Sequence, residues 1–269
     1  MGNRQKSSSF SKRGHIVMIT SPIKHLAAAM DGGMANQVVV GLIALSTDVL
    51  TEYELRRMLP KDGVSISATR IETKNPITIE NLRGHAHQIA KAAELFVPRE
   101  SVDVFAYGCT SGSALILQTT LEAELHRTAP GAKLTSPMTG AYKAFRQLGI
   151  RRVDLLTPYP DDVTAAMTEC LKDEGVSVVS CGSFHIENDY EIINIKPESI
   201  IEAAAALNSA DSEALFIPCT GLRTSTIIQP LEAQIGKPVI TAHQAMLWDA
   251  LRLAGYTQPL SGFGKLLTV

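Results

Sequence analysis

The chain has 269 residues, enough for one large or two modest domains with real cores, and a formal net charge of −2. That balance leaves no basic footprint for nucleic acid, and no apolar run approaches the ~20 residues that span a bilayer. The four cysteines, Cys109, Cys170, Cys181 and Cys219, have neither zinc-site nor Cys-x-x-Cys spacing. Reduced thiols in a cytoplasmic protein, with neither metal nor cofactor, are the reading this supports.

Residues 1–36 read as a disordered leader. Met1 to Met30 carries Arg4, Lys6, Lys12, Arg13 and Lys24 but no acid. Strands and helices alternate from Val38 onward. The pattern predicts strand Val38–Leu45, a loop at Ser46-Thr47-Asp48, helix Thr51–Met58 and strand Val64–Arg70. One long helix follows over Thr78–Leu95, with Thr78 as its capping residue. Then come strand Val102–Tyr107, a helix over Ser113–Arg127, strand Lys133–Thr135 and helix Thr139–Leu148. The second half predicts strand Val153–Leu156, helix Val163–Glu174, strand Val176–Cys181 and helix Pro197–Leu207. Strand Ala214–Ile217, helix Ser225–Gln234, strand Val239–Thr241 and helix Ala245–Leu253 complete it. Such alternation builds parallel sheets covered on both faces.

The halves repeat. Asp103-Val-Phe-Ala-Tyr-Gly-Cys109-Thr110-Ser111 matches Glu213-Ala-Leu-Phe-Ile-Pro-Cys219-Thr220, an acid opening an apolar run that ends at Cys-Thr. Leu134 to Gly149 aligns without gaps on Ile240 to Gly255, with Thr, an aromatic, Ala, Arg and Gly in register. A repeat of about a hundred residues means two related lobes. The expected fold is therefore α/β, with two pseudo-symmetric lobes over residues 37–150 and 151–269. Each is a four-stranded parallel sheet flanked by helices, with the site in the cleft between them. The last helix is free to pack on the first lobe.

A lone cysteine is commonly a small buried hydrophobe. Duplication at the mouths of two matching strands argues for chemistry at Cys109 and Cys219, because open α/β sheets bind ligands there. Cys170 and Cys181 lack such context and read as structural. Thr110, Ser111 and Thr220 offer hydroxyls and backbone N–H groups to a carboxylate or developing enediolate. Asp48 and Tyr159 follow the first strand of each half, and Asn188 lies in the loop after the second strand of the second half. His185 and His243 lie near strand ends, but two-cysteine chemistry does not require them. Arg223 is left open between a substrate carboxylate and a neighbouring acid.

These motifs resemble the maleate cis–trans isomerase group of the aspartate/glutamate racemase superfamily. They are Gly108-Cys-Thr-Ser-Gly-Ser113, Pro218-Cys219-Thr220, and Gly236-Lys-Pro-Val-Ile-Thr-x-x-Gln-Ala-x-x-Trp-x-x-Leu-Arg-Leu-Ala-Gly255. The group includes arylmalonate decarboxylase and the ectoine-utilisation protein EutA. The resemblance implies cofactor-independent catalysis, with Cys109 attacking the substrate double bond and Cys219 assisting as acid/base. It also implies that Tyr159 and Asn188 bind substrate. Maleate isomerases carry Ser-Ser-Asn-Thr-Thr after the first strand, whereas this chain has Ser46-Thr47-Asp48-Val49-Leu50. A carboxylate there disfavours a dicarboxylate and favours a substrate bearing an amino group. Thr-Asp looks more like EutA. Arylmalonate decarboxylases keep only the second-lobe cysteine.

The expected function is a cofactor-independent racemase or cis–trans isomerase acting on a small carboxylic acid or amino-acid derivative. An arylmalonate-type decarboxylase and a non-catalytic small-acid binder stay open beside it. The expected partners are the substrate and further copies of the chain, a homodimer or higher homo-oligomer, with no nucleic acid and no membrane.

Overall fold

A computed structural model describes residues 24–31, 33, 35–98 and 101–269. Residues 1–23, most of the expected leader, lie outside the described residues. Residues 34–269 form one compact unit.

Among the described residues the chain forms eight parallel strands in two sheets. The first holds β1 (Val38–Leu45), β2 (Val64–Ile71), β3 (Val104–Tyr107) and β4 (Lys133–Thr135), in the order β2-β1-β3-β4. The second holds β5 (Arg152–Thr157), β6 (Ser177–Ser183), β7 (Ala214–Ile217) and β8 (Val239–Thr241), in the order β6-β5-β7-β8. The orders are identical, as the repeat requires. In each sheet the connections leave in opposite directions from the first and third strands. The crevice beyond those two strand ends is therefore the topological switch point where ligands bind. In the first half that crevice opens onto Asp48 and Cys109, and in the second onto Tyr159 and Cys219.

The helices are α1 (Thr51–Met58), α2 (Ile79–Arg83), α3 (Ile89–Ala93), α4 (Thr110–Leu115), α5 (Gln118–His126) and α6 (Pro137–Leu148). The second half adds α7 (Asp161–Asp173), α8 (Asp189–Ile192), α9 (Pro197–Leu207), α10 (Ile228–Ile235) and α11 (Ala242–Leu253). The helix expected over Thr78–Leu95 is broken. Thr78 does cap α2, its side chain accepting from Asn81 N–H, but α2 stops at Gly84, and a 3-10 turn over Ala86–Gln88 precedes α3. The helix expected over Ser113–Arg127 is likewise two. Ile116 takes an extended ψ of 122°, and Leu117 points outward.

One apolar core is continuous across both halves, taking in Leu42, Met138, Phe145, Leu155, Phe216 and Met246. Phe145 and Phe216 meet edge to face at 5.3 Å between ring centres. Helices α6 and α11, the two copies of one repeated segment, cross at this boundary. Gly140 of α6 lies so close to α11 that a Cβ there would overlap the Ala245 carbonyl oxygen and stand 2.6 Å from its carbon. Asp249 of α11 reaches into the first half, accepting from Thr135 Oγ1 at 2.6 Å and Lys143 Nζ at 2.8 Å. A smaller cluster covers the other face of the first sheet. Alternation along β3 sends Val104 and Ala106 to the shared core and Phe105 and Tyr107 to this outer cluster, where Ile89, Leu121 and Cys109 also pack.

Candidate active site

Cys109 lies just beyond β3 in an extended conformation and caps α4, its Sγ accepting from Gly112 N–H at 3.3 Å. Ser111 Oγ stands 3.8 Å from the same sulfur. Cys219 occupies the matching place beyond β7. Its φ of 128° is unusual for a side-chain-bearing residue, and such strain, about 1–3 kcal/mol, persists only where the surroundings enforce it. Its Sγ accepts from Gly221 N–H at 3.2 Å.

Both sulfurs line one small cavity, together with Thr47, Asp48, Thr110, Ser111, Tyr159 and Thr220. The cavity thus gathers seven of the eight site residues expected from the sequence. Asn188 is not among its lining. That side chain caps α8, accepting from Tyr190 N–H and from Asn75 Nδ2, and donating to Glu191. The next residue, Asp189, lines the cavity instead and accepts a hydrogen bond from Thr47 Oγ1.

Sequence reasoning also missed Thr73 and Lys74, which reach the cavity from the loop after β2. This loop is strapped across the mouth. Ile77 N–H donates to the Glu187 carbonyl, Asn75 donates to Asn188, and Asp189 N–H donates back to Asn75. No local sequence signal marks Lys74.

Burial dominates the electrostatics. It pushes the Cys109 thiol up to about 11, against donors at Gly112, Ser111 and Tyr107 that pull it down and the Asp189 charge that adds to the rise. Burial pushes Cys219 up to about 12, opposed by the Tyr159 hydroxyl. Asp189 is raised by burial and by the charge of Asp48, with the Thr47 hydrogen bond opposing. Each sulfur therefore has a tyrosine hydroxyl beside it, Tyr107 for one and Tyr159 for the other. Two buried polar atoms of the lining, Asp48 Oδ2 and Thr110 Oγ1, have no hydrogen-bond partner. Buried polar atoms without partners are costly, so these mark where a ligand's polar groups would bind.

The raised thiol values carry a consequence for stability. An unfolded thiol ionises near 9.0, whereas these two hold their protons to about 11 and 12. Their contribution is fully present below about pH 9 and is lost as pH rises toward those values. Urea unfolding at pH 8 and 10.5 should show a steeper loss in the parent than in the double Cys109→Ser, Cys219→Ser variant. Equal losses in the two would contradict the assignment.

The Cys219 loop is held from the first half by a buried carboxylate. Glu54 of α1 accepts from Thr224 N–H at 2.9 Å, Ser225 N–H at 2.7 Å and Ser225 Oγ at 3.0 Å. This delays the start of α10 from Ser225, where the sequence placed it, to Ile228. His243 is fully buried beside this network, 3.2 Å from Thr51 Oγ1, and burial lowers its pKa. His185 is exposed near Asp161, and Arg223 donates to the Ile195 carbonyl, so neither reaches the cavity lining. Glu54→Ala leaves three donors without their carboxylate. We expect a loss of about 3 kcal/mol in chemical denaturation. A variant as stable as the parent would remove Glu54 from this role.

A two-lobed parallel α/β fold with a cysteine on each wall of a shared cleft is the class that the geometry defines. Comparison with known proteins narrows it. The family model for arylmalonate decarboxylase matches residues 103–267, and the chain belongs to that family. Arylmalonate decarboxylase of Bordetella bronchiseptica is 29% identical over 241 residues, 86% of this chain and 97% of that protein. Maleate isomerase of Alcaligenes faecalis is 24% identical over 247 residues, 85% of this chain and 96% of that protein. Among solved structures, Nocardia farcinica maleate cis–trans isomerase, as a cysteine-to-serine variant with a covalently bound succinylcysteine intermediate, superposes with a TM-score of 0.78. It is 21% identical and covers 86% of this chain and 98% of that one.

Proposed function

We propose that the protein is a cofactor-independent two-cysteine isomerase, a racemase or cis–trans isomerase of a small carboxylic acid. The observation that carries this reading is the pairing of Cys109 and Cys219 on one cavity, each beside a tyrosine hydroxyl. One thiolate adds to the substrate or removes its proton, and the other thiol delivers a proton. The succinylcysteine in the Nocardia structure is a precedent for covalent attack by one such sulfur. Hydroxyls and N–H groups of Thr110, Ser111 and Thr220 face the carboxylate and the negative charge that develops on it. Tyr159 keeps its phenol proton, its pKa held well above 10.0 by burial, and so serves as a neutral donor.

The substrate reading goes further toward an amino acid or its derivative, as in EutA. Asp48 and Asp189 share the cavity with the single lysine of its lining, Lys74. A dicarboxylate such as maleate would meet two acids. Each like-charge contact near 4 Å costs about 4 kcal/mol at an effective dielectric of 20. An amino group turns that repulsion into attraction, while Lys74 suits a carboxylate.

A panel of chiral amino acids, their N-acyl derivatives and unsaturated diacids, run in deuterium oxide, tests the proposal. Loss of optical activity with deuterium at the α-carbon is the racemase result. Conversion of maleate to fumarate without such exchange is the adduct result. The arylmalonate decarboxylase family match favours a second reading, decarboxylation, which would show as carbon dioxide release from substituted malonates. Saturable binding of an acid by an inert protein would reduce the molecule to a sensor.

A further inference from the structure

The two cysteines cease to be equivalent when the residues behind them are followed inward. Tyr107 leaves β3 two residues before Cys109, with its side chain fully buried. His85, 1% exposed, packs edge-on against it. His85 Nδ1 lies 2.7 Å from Tyr107 Oη, and His85 Nε2 lies 2.8 Å from Thr73 Oγ1. The Tyr107 hydroxyl lies on the Cys109 side of this pair, next to the sulfur above Gly112. Gly112 makes room for that meeting, since a Cβ there would overlap Tyr107 Oη and stand 3.0 Å from Cys109 Sγ.

The direction of these bonds follows from proton counting. Burial lowers His85 to about 4, so at neutral pH its ring carries one N–H. With that proton on Nε2, it donates to Thr73, Tyr107 donates to Nδ1, and the sulfur receives nothing from the chain. With the proton on Nδ1, Thr73 donates to Nε2, His85 donates to Tyr107 Oη, and the Tyr107 O–H is released toward Cys109. A thiolate selects the second order, because hydrogen bonds to an ionised acceptor are roughly twice as strong as neutral ones. Across the cavity Tyr159 stands beside Cys219, but among the described residues no histidine backs it.

We propose that Thr73, His85 and Tyr107 form a reversible donor chain that turns toward the Cys109 sulfur when it ionises, making Cys109 the more readily ionised of the two thiols. The inference rests on the two-cysteine reading for its use in turnover; what it adds is the set of residues behind Cys109. Tyr107 stands next to the sulfur, and His85 is a positioning residue that acts through it. The ionisable groups facing Cys109 are Tyr107 on its own strand and Asp189, Cys219 and Tyr159 from the second half. Tyr107 is the ionisable side chain bonded to His85.

Iodoacetamide labelling of the full chain across pH, resolved cysteine by cysteine by peptide mass spectrometry, tests this without any substrate. In the parent, Cys109 should label faster than Cys219 below both midpoints. Tyr107→Phe and His85→Leu should each slow Cys109 about tenfold at pH 8 and raise its midpoint by about one pH unit, leaving Cys219 unchanged. His85→Gln should restore most of the rate, because its amide can accept from Thr73 and donate to Tyr107. Should His85→Leu fail to fold, Tyr107→Phe decides, since it removes one oxygen. Faster labelling of Cys219 in the parent would overturn the proposal, as would a Tyr107→Phe variant with the parent's Cys109 rate and midpoint. A silent substrate panel leaves these rates untouched, so the isomerase reading and the donor chain fail separately.

Discussion

Cys109→Ser and Cys219→Ser are each expected to cut turnover at least about a thousandfold, with melting temperatures close to the parent's. General acid–base groups contribute 10²–10⁴ in rate, and a serine hydroxyl is too weak an acid to take over from a thiol. Burial makes the two thiols hold their protons to about 11 and 12. Ionisation therefore depends on the donors around each sulfur, and removing either sulfur takes a full step out of the proposed two-cysteine reaction. Initial rates in both directions, on the acid that the panel identifies, measure the effect. Full activity in both variants would abandon cysteine chemistry altogether. Loss confined to Cys219→Ser would point instead to decarboxylation, which in this family resemblance needs the second-half sulfur alone.

Gly140→Ala should destabilise the protein by about 3 kcal/mol, the reverse of what helix propensity favours. Inside an exposed helix this change gains up to about 1 kcal/mol. Here the new methyl group would overlap the Ala245 carbonyl oxygen, a backbone atom that cannot rotate aside. Overpacking of this kind costs about 1–3 kcal/mol even where side chains can yield. The midpoint of urea unfolding reads the result, and a midpoint equal to or above the parent's would mean that the helices part easily. Because α6 and α11 join the halves, the loss should come in one cooperative transition.

The sequence carried more of the fold than of the site's surroundings. β1, α1, β4, β7, β8 and α9 begin and end where the hydrophobic period places them. The helix expected over 78–95 stops at Gly84, and the buried His85 after it bonds a tyrosine of β3, a contact that local propensity cannot express. Two starts were legible and went unread. Ser136-Pro137 caps and opens α6, and Thr241 with Gln244 forms a capping box at α11. The duplicated Cys-Thr turns gathered most of the lining because repeat position fixes strand ends. Asn188 and Asp189 show the limit of that logic. Neighbours in a loop point differently according to which one caps the next helix, and here Asn188 does. Lys74, Thr73 and Glu54 act through contacts made across long stretches of chain.

The backbone-to-backbone crossing at Gly140 also decides how the molecule can breathe. Two-lobed enzymes commonly capture their substrates by hinging shut, but a joint without side-chain padding has no slack to swing on. Traffic into the cleft then falls to the short segment carrying Thr73, Lys74 and Asn75, tethered by a few hydrogen bonds to the far bank. Those tethers are exposed hydrogen bonds, which cost less to part than the packed crossing of α6 and α11.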